Sequence, residues 1–125
     1  MSLKNWKVLV IEDEADSMEL VQGLLSHYGI ASVGASTGED ALNILDDVTP
    51  TLVIIDLALP GLDGWEVLKW LRSHDRLSQI PCVAITAFHT PELAEQAIEA
   101  GFNAYFAKPI DATSFVRELQ TVTDN

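Results

Sequence analysis

Five polar residues follow directly on apolar runs. Glu12-Asp13 follows Trp6–Ile11, Asp56 follows Leu52–Ile55, Thr86 follows Ile80–Ile85, and Lys108-Pro109 comes just after Asn103–Phe106. The unbroken, β-branched-rich run Leu52–Ile55 reads as a strand buried on both faces. Three carboxylates gathered at such strand tips repel one another, a close pair costing about 4 kcal/mol at an effective dielectric near 20. A hard divalent cation removes that cost, and Mg²⁺ takes oxygen ligands while keeping some of its waters. A metal beside a lysine and a threonine hydroxyl suits phosphoryl oxygens. Asp56 is then a nucleophile that accepts a phosphoryl group as an acyl phosphate. The metal and the Lys108 ammonium would share the charge on the transferring oxygens.

These residues meet only if the chain brings the strand tips to one edge. Strand-like and helix-like segments alternate throughout. The strands are expected at Trp6–Ile11, Ile30–Gly34, Thr51–Ile55, Ile80–Ile85 and Asn103–Phe106. The first helix spans Ala15–Tyr28, with Val21, Leu24, Leu25 and Tyr28 on one face and Gly29 ending it. The second spans Gly38–Asp47, with Thr37 and Asp40 placed for a capping box. Pro60, Gly61 and Asp63-Gly64 supply turn chemistry after the third strand, and Asp63 with Glu66 repeats the box before a Val67, Leu68, Leu71 stripe. Thr90-Pro91 gives an N-cap followed by proline at N1, for a helix that stops before Gly101. Asp111 starts a last helix that aligns Phe115, Leu119 and Val122. Five such units imply an α/β, doubly wound, five-stranded parallel sheet with helices on both faces. Sites in these sheets form outside the carboxyl ends of the strands, where Glu12, Asp13, Asp56, Thr86 and Lys108 all fall.

Composition narrows the function. A chain of 125 residues with 48% apolar content fits one domain over residues 1–125. No apolar run nears the ~18 residues of a membrane span, and no secretory segment is evident. A single cysteine forms no internal disulfide and suits a reducing compartment. A net charge of −12 argues against nucleic acid or anionic lipid and favours a basic partner face.

The chain resembles the receiver domain of two-component response regulators along nearly its whole length. The resemblance rests on Glu12-Asp13, on Asp56 followed by Leu59-Pro60-Gly61-Leu62-Asp63-Gly64, on Thr86-Ala87 and on Lys108-Pro109. It implies the flavodoxin-like (βα)5 strand order 2-1-3-4-5 and a cytoplasmic signalling switch, not an enzyme beyond its own phosphorylation and dephosphorylation. Glu12, Asp13 and Asp56, with the Ala58 carbonyl, would hold Mg²⁺. Asp56 would take its phosphoryl group from a sensor histidine kinase or a phosphotransfer protein. Thr86 and Lys108 would contact that group, and Tyr105 matches the switch aromatic. Output would pass through the face of the fourth helix, fifth strand and fifth helix, with homodimerisation there an option. Lys108-Pro109 is expected to be cis, a form costing an X-Pro bond only about 0.5–1 kcal/mol. Leu59 and Leu62 stand where methionine is usual, and Glu12 replaces the commoner aspartate. The chain would be a stand-alone regulator or part of a larger one.

Rival readings fit less well. A phosphatase of the haloacid-dehalogenase type needs a second acid two residues after its nucleophile, where this chain has Ala58. A flavin carrier needs a small-residue phosphate loop where Glu12-Asp13-Glu14 stands. A pseudo-receiver that only binds partners would normally have lost an acid or the lysine. Cys82 is expected to pack in the fourth strand, and His27, His74 and His89 to lie on the surface without metal-ligand spacing. Trp65 and Trp70 sit at the edges of the third helix's apolar stripe, and partial burial there is expected, with a partner contact as the alternative.

Overall fold

A computed structural model describes residues 3–123. The strands are β1 (Lys7–Ile11), β2 (Ala31–Ala35), β3 (Leu52–Asp56), β4 (Cys82–Thr86) and β5 (Ala104–Ala107). The helices are α1 (Ala15–His27), α2 (Gly38–Asp47), α3 (Gly64–Arg72), α4 (Pro91–Ala100) and α5 (Phe115–Thr123). The sheet is parallel throughout, in the order β2-β1-β3-β4-β5.

Alternation along the strands builds two cores. Leu9, Ile11, Val53, Ile55, Cys82 and Ala84 face one way and pack with Ala41 and Leu45 of α2, Val67, Leu68 and Leu71 of α3, and Ala97 of α4. Val8, Val10, Leu52, Ile54, Val83 and Ile85 face the other way, against Val21 and Leu25 of α1 and Phe115, Val116 and Leu119 of α5. Every residue of β3 and β4 is buried, so both faces of the central strands are covered.

The helix ends follow the expected chemistry, with three differences. Asp63 and Glu66 form the full reciprocal box, and Thr90 caps α4 with Pro91 at its first turn. Thr37 accepts from the Asp40 N–H. Tyr28, expected on the buried face of the first helix, is exposed beyond the last turn of α1. The last helix begins at Phe115 instead of Asp111, because Asp111 Oδ1 takes both the N–H and the hydroxyl of Thr113 in a preceding turn. Strand β4 starts at Cys82 and not Ile80, because the Ile80 N–H closes a turn onto Leu77 and Pro81 has no donor. Trp65 and Trp70 are half-buried at the flank of the core, as expected.

Candidate functional site

The register of the sheet assembles the site. Ile11 pairs with Ile55, Asp56 with Ile85, and Thr86 with Ala107, so Glu12, Asp56, Thr86 and Lys108 emerge at one edge. Backbone pairing continues up to that edge, with Glu12 N–H on Ala35 O at 3.0 Å and Lys108 N–H on Thr86 O at 2.8 Å. The loop after Asp56 is pinned against it. Gly61 turns the chain with φ 69°, and Gly64 opens α3 so close to the Asp56 carbonyl and Ile55 that a Cβ would not fit. The Lys108-Pro109 bond is cis, as expected.

Lys108 is the hub. Its Nζ lies 2.6 Å from Glu12 Oε2, 3.0 Å from Asp56 Oδ2 and 3.4 Å from Glu14 Oε1. The contact with Glu12 is an ion pair without an aligned hydrogen bond, so Glu12 Oε2 keeps an unused lone pair in a buried position. Asp56 Oδ1 accepts from the Ala58 N–H at 2.9 Å, and Glu12 Oε1 from the Glu14 N–H at 3.1 Å. The Thr86 hydroxyl accepts from the Phe88 N–H at 3.1 Å. Glu12, Asp56 and Thr86 are almost fully buried, while Asp13 is exposed.

Charge is unbalanced here. Burial pushes the Glu12 carboxyl up to about 7, neighbouring Asp56 adds to the rise, and Lys108 and the Glu14 N–H only partly oppose it. Burial alone would lower the Lys108 ammonium, but its pairing with the Glu12 and Asp56 carboxylates outweighs that and raises it. Carboxylate oxygens of Glu12, Asp13 and Asp56 lie within 4.8 Å of one another. Three hard oxygen donors, a single ammonium and an underused buried carboxylate oxygen fit a small divalent cation such as Mg²⁺. A cavity of about 250 Å³ opens above Asp56, lined by Asp13, Glu14, Ala58, Ala87, Phe88 and Lys108.

The structure thus brings Glu12, Asp13, Asp56, Ala58 and Lys108 together, with Thr86 on the same edge. Tyr105 stands apart on β5, half-buried, with its hydroxyl 3.0 Å from His89 Nδ1. His89 is exposed, but sequence reasoning passed over this contact because the two residues are 16 apart with no periodicity to link them. Glu14 was also missed as a partner of Lys108. The run of three acids was the available signal.

Comparison with known proteins agrees with this geometry. Residues 8–120 match the sequence profile of the response regulator receiver domain. The polar-differentiation response regulator DivK of Brucella anthropi is 32% identical over 114 residues, covering 91% of this chain and 93% of that protein. A protein assigned as a response regulator in Chloroflexus aurantiacus superposes with a TM-score of 0.89 at 28% identity, covering 96% of this chain and 98% of that one. The chemotaxis response regulator CheY4 of Vibrio cholerae shares the fold, with a TM-score of 0.87 at 24% identity over 94% of this chain and 98% of that one. An acidic strand-end cluster bridged by Lys108, in this topology and with this profile match, makes the chain a member of the response regulator receiver domain family.

Proposed function

We propose that the protein is a phosphoacceptor switch in which Asp56 takes a phosphoryl group from a phosphohistidine on a sensor histidine kinase or phosphotransfer protein. The observation that carries the reading is the Lys108 ammonium 3.0 Å from Asp56 Oδ2, at the floor of a cavity open to a donor. Asp56 attacks phosphorus, and the bond from phosphorus to the donor nitrogen breaks with its electron pair. Lys108 offers its charge to the equatorial oxygens, and the Ala58 N–H fixes the orientation of the Asp56 carboxylate. Mg²⁺ held by Glu12, Asp13, Asp56 and the Ala58 carbonyl would supply further positive charge to those oxygens.

The product adds about −1.5 to −2 charges at the end of β3. The Thr86 hydroxyl then exchanges its Phe88 N–H for the phosphoryl group. Tyr105 moves inward, and the face of α4, β5 and α5 changes its partner affinity. Moving such a switch from 1:99 to 99:1 takes about 5.5 kcal/mol of differential stabilisation. Among the described residues no helix is long and apolar enough to cross a membrane. The test is incubation with Mg²⁺ and acetyl phosphate, followed by assay for a hydroxylamine-labile adduct. Wild type should gain one and Asp56→Asn should not. The same adduct on Asp56→Asn would refute the assignment.

A further inference from the structure

Glu14 occupies a place that the phosphotransfer scheme leaves unexplained. It is the N-cap residue of α1, yet its side chain makes no capping bond. Instead Oε1 turns to Lys108 Nζ at 3.4 Å and accepts from the Ser17 hydroxyl at 3.4 Å. The Glu14 side chain is 65% exposed and stands in the wall of the cavity above Asp56. The charged lining of that cavity is Asp13, Glu14 and Asp56 against Lys108 alone. Lys108 is already engaged by Glu12 and Asp56. Mg²⁺ on Glu12, Asp13 and Asp56 would offset those acids but not Glu14, which lies outside that cluster, so an incoming anion still meets the Glu14 carboxylate at the rim.

We propose that Glu14 is a donor-selecting residue, which disfavours small anionic phosphodonors and leaves Asp56 to donors carried on a docked protein. This rests on the phosphoacceptor reading of Asp56. In the small-donor reaction Asp56 attacks phosphorus, and the bond to the bridging oxygen of an acyl phosphate, or to the nitrogen of phosphoramidate, breaks with its electron pair. Acetate or ammonia leaves. The free donor enters with only its own charge and pays the full repulsion of the rim. A phosphohistidine on a protein is held over the site by contacts elsewhere, which offset that repulsion.

The charge product sets the size of the effect. Removing one unit charge about 6–12 Å from a dianion changes its encounter by roughly three- to tenfold in water, and for a monoanion by about the square root of that. The gain shrinks as salt rises from about 0.02 M to about 0.5 M, because these charges are exposed.

The experiment compares wild type, Glu14→Gln and Asp16→Asn with Mg²⁺, using acetyl phosphate (a dianion at neutral pH) and phosphoramidate (a monoanion). Asp16 lines a neighbouring pocket with Glu14 and Lys108 but not the cavity above Asp56, so its variant controls for a nearby charge outside that cavity. Glu14→Gln should phosphorylate faster than wild type with both donors. The gain should be larger for acetyl phosphate and should fall with salt, and Asp16→Asn should gain less. An equal, salt-independent gain with both donors would mean that Glu14 acts only through the position of Lys108, and would overturn the proposal. So would no gain, or an equal gain in Asp16→Asn. No adduct on any of the three proteins with either donor would instead remove the phosphoacceptor reading itself.

Discussion

The Tyr105 hydroxyl and His89 Nδ1 are 3.0 Å apart, and this bond ties β5 to the loop that follows Thr86. The Thr86 hydroxyl accepts from the N–H of Phe88, the residue beside His89. In the proposed switch, a shift of Thr86 toward a phosphoryl group would release the Phe88 N–H and so act on the segment that holds Tyr105. The two bonds form a contiguous chain from the site to the α4–β5–α5 face. His89→Ala should therefore loosen Tyr105 without phosphate. One hydrogen bond has a net worth of about 0.5–1.5 kcal/mol, so the inward population should rise roughly two- to tenfold. NMR of fluorotyrosine-labelled protein, with and without a beryllofluoride mimic, reads this directly. A Tyr105 signal that is the same in His89→Ala and wild type, and unmoved by the mimic, would dismiss both the tie and the switch.

Much of this was legible in the sequence because the controlling signals are local. Apolar runs gave the strands, Asp63–Glu66 and Thr90-Pro91 gave two helix starts, and polar residues after the runs gave the site. Strand limits were often displaced by a residue or two, since Asp56 and Thr86 themselves end β3 and β4. Apolar content does not reveal that a polar residue still pairs in the ladder. The His89–Tyr105 and Glu14–Lys108 contacts depend on loop geometry between distant residues, which no periodicity encodes. Arg72 was overlooked for the same reason.

Arg72 clamps the edge of the sheet opposite the site. Nη1 donates to Ser78 O at 3.1 Å and Ile80 O at 2.7 Å. Nη2 donates to Gly101 O and Asn103 Oδ1, each at 2.9 Å. The Asn103 oxygen also accepts from Cys82 N–H, so one guanidinium joins the end of α3 to the starts of β4 and β5. Arg72→Ala leaves the part-buried carbonyls of Ser78, Ile80 and Gly101 without the guanidinium and should cost about 2–4 kcal/mol in chemical denaturation. Lysine should recover little of that, because a point charge cannot fork to four acceptors. A loss below about 0.5 kcal/mol would show that water replaces the clamp.

Metal should stabilise the fold through the acids it relieves. At about a hundred times its Kd, Mg²⁺ should raise stability by about 2.7 kcal/mol. Asp13→Asn should reduce that gain. Metal-free, the same variant should be no less stable than wild type, because the exposed Asp13 leaves a repulsive cluster. Thermal unfolding of both proteins, with Mg²⁺ and with a chelator, measures all four states. Equal Mg²⁺ gains in the two proteins would place the ion elsewhere.

The lifetime of the acyl phosphate should be set by two apolar side chains at the rim of the site. Ala58 and Phe88 both line the cavity above Asp56. Each lies two residues past a site residue, Asp56 and Thr86 respectively. Hydrolysis needs a water in line with the scissile bond, and a polar group there would orient it. The Ala58 side chain offers no hydrogen bond. Phe88 lines the cavity and is 71% exposed, and its backbone N–H is held by Thr86. Lys108 still stabilises the transition state, so decay is slowed and not abolished. Ala58→Asn and Phe88→Glu should each shorten the lifetime, by about tenfold if positioning of one water is the main loss. Phe88→Ala separates the two effects. Faster decay in that variant assigns the role to shielding by the ring, and unchanged decay assigns it to the missing polar group. If all three variants decay at the wild-type rate, neither side chain governs the water.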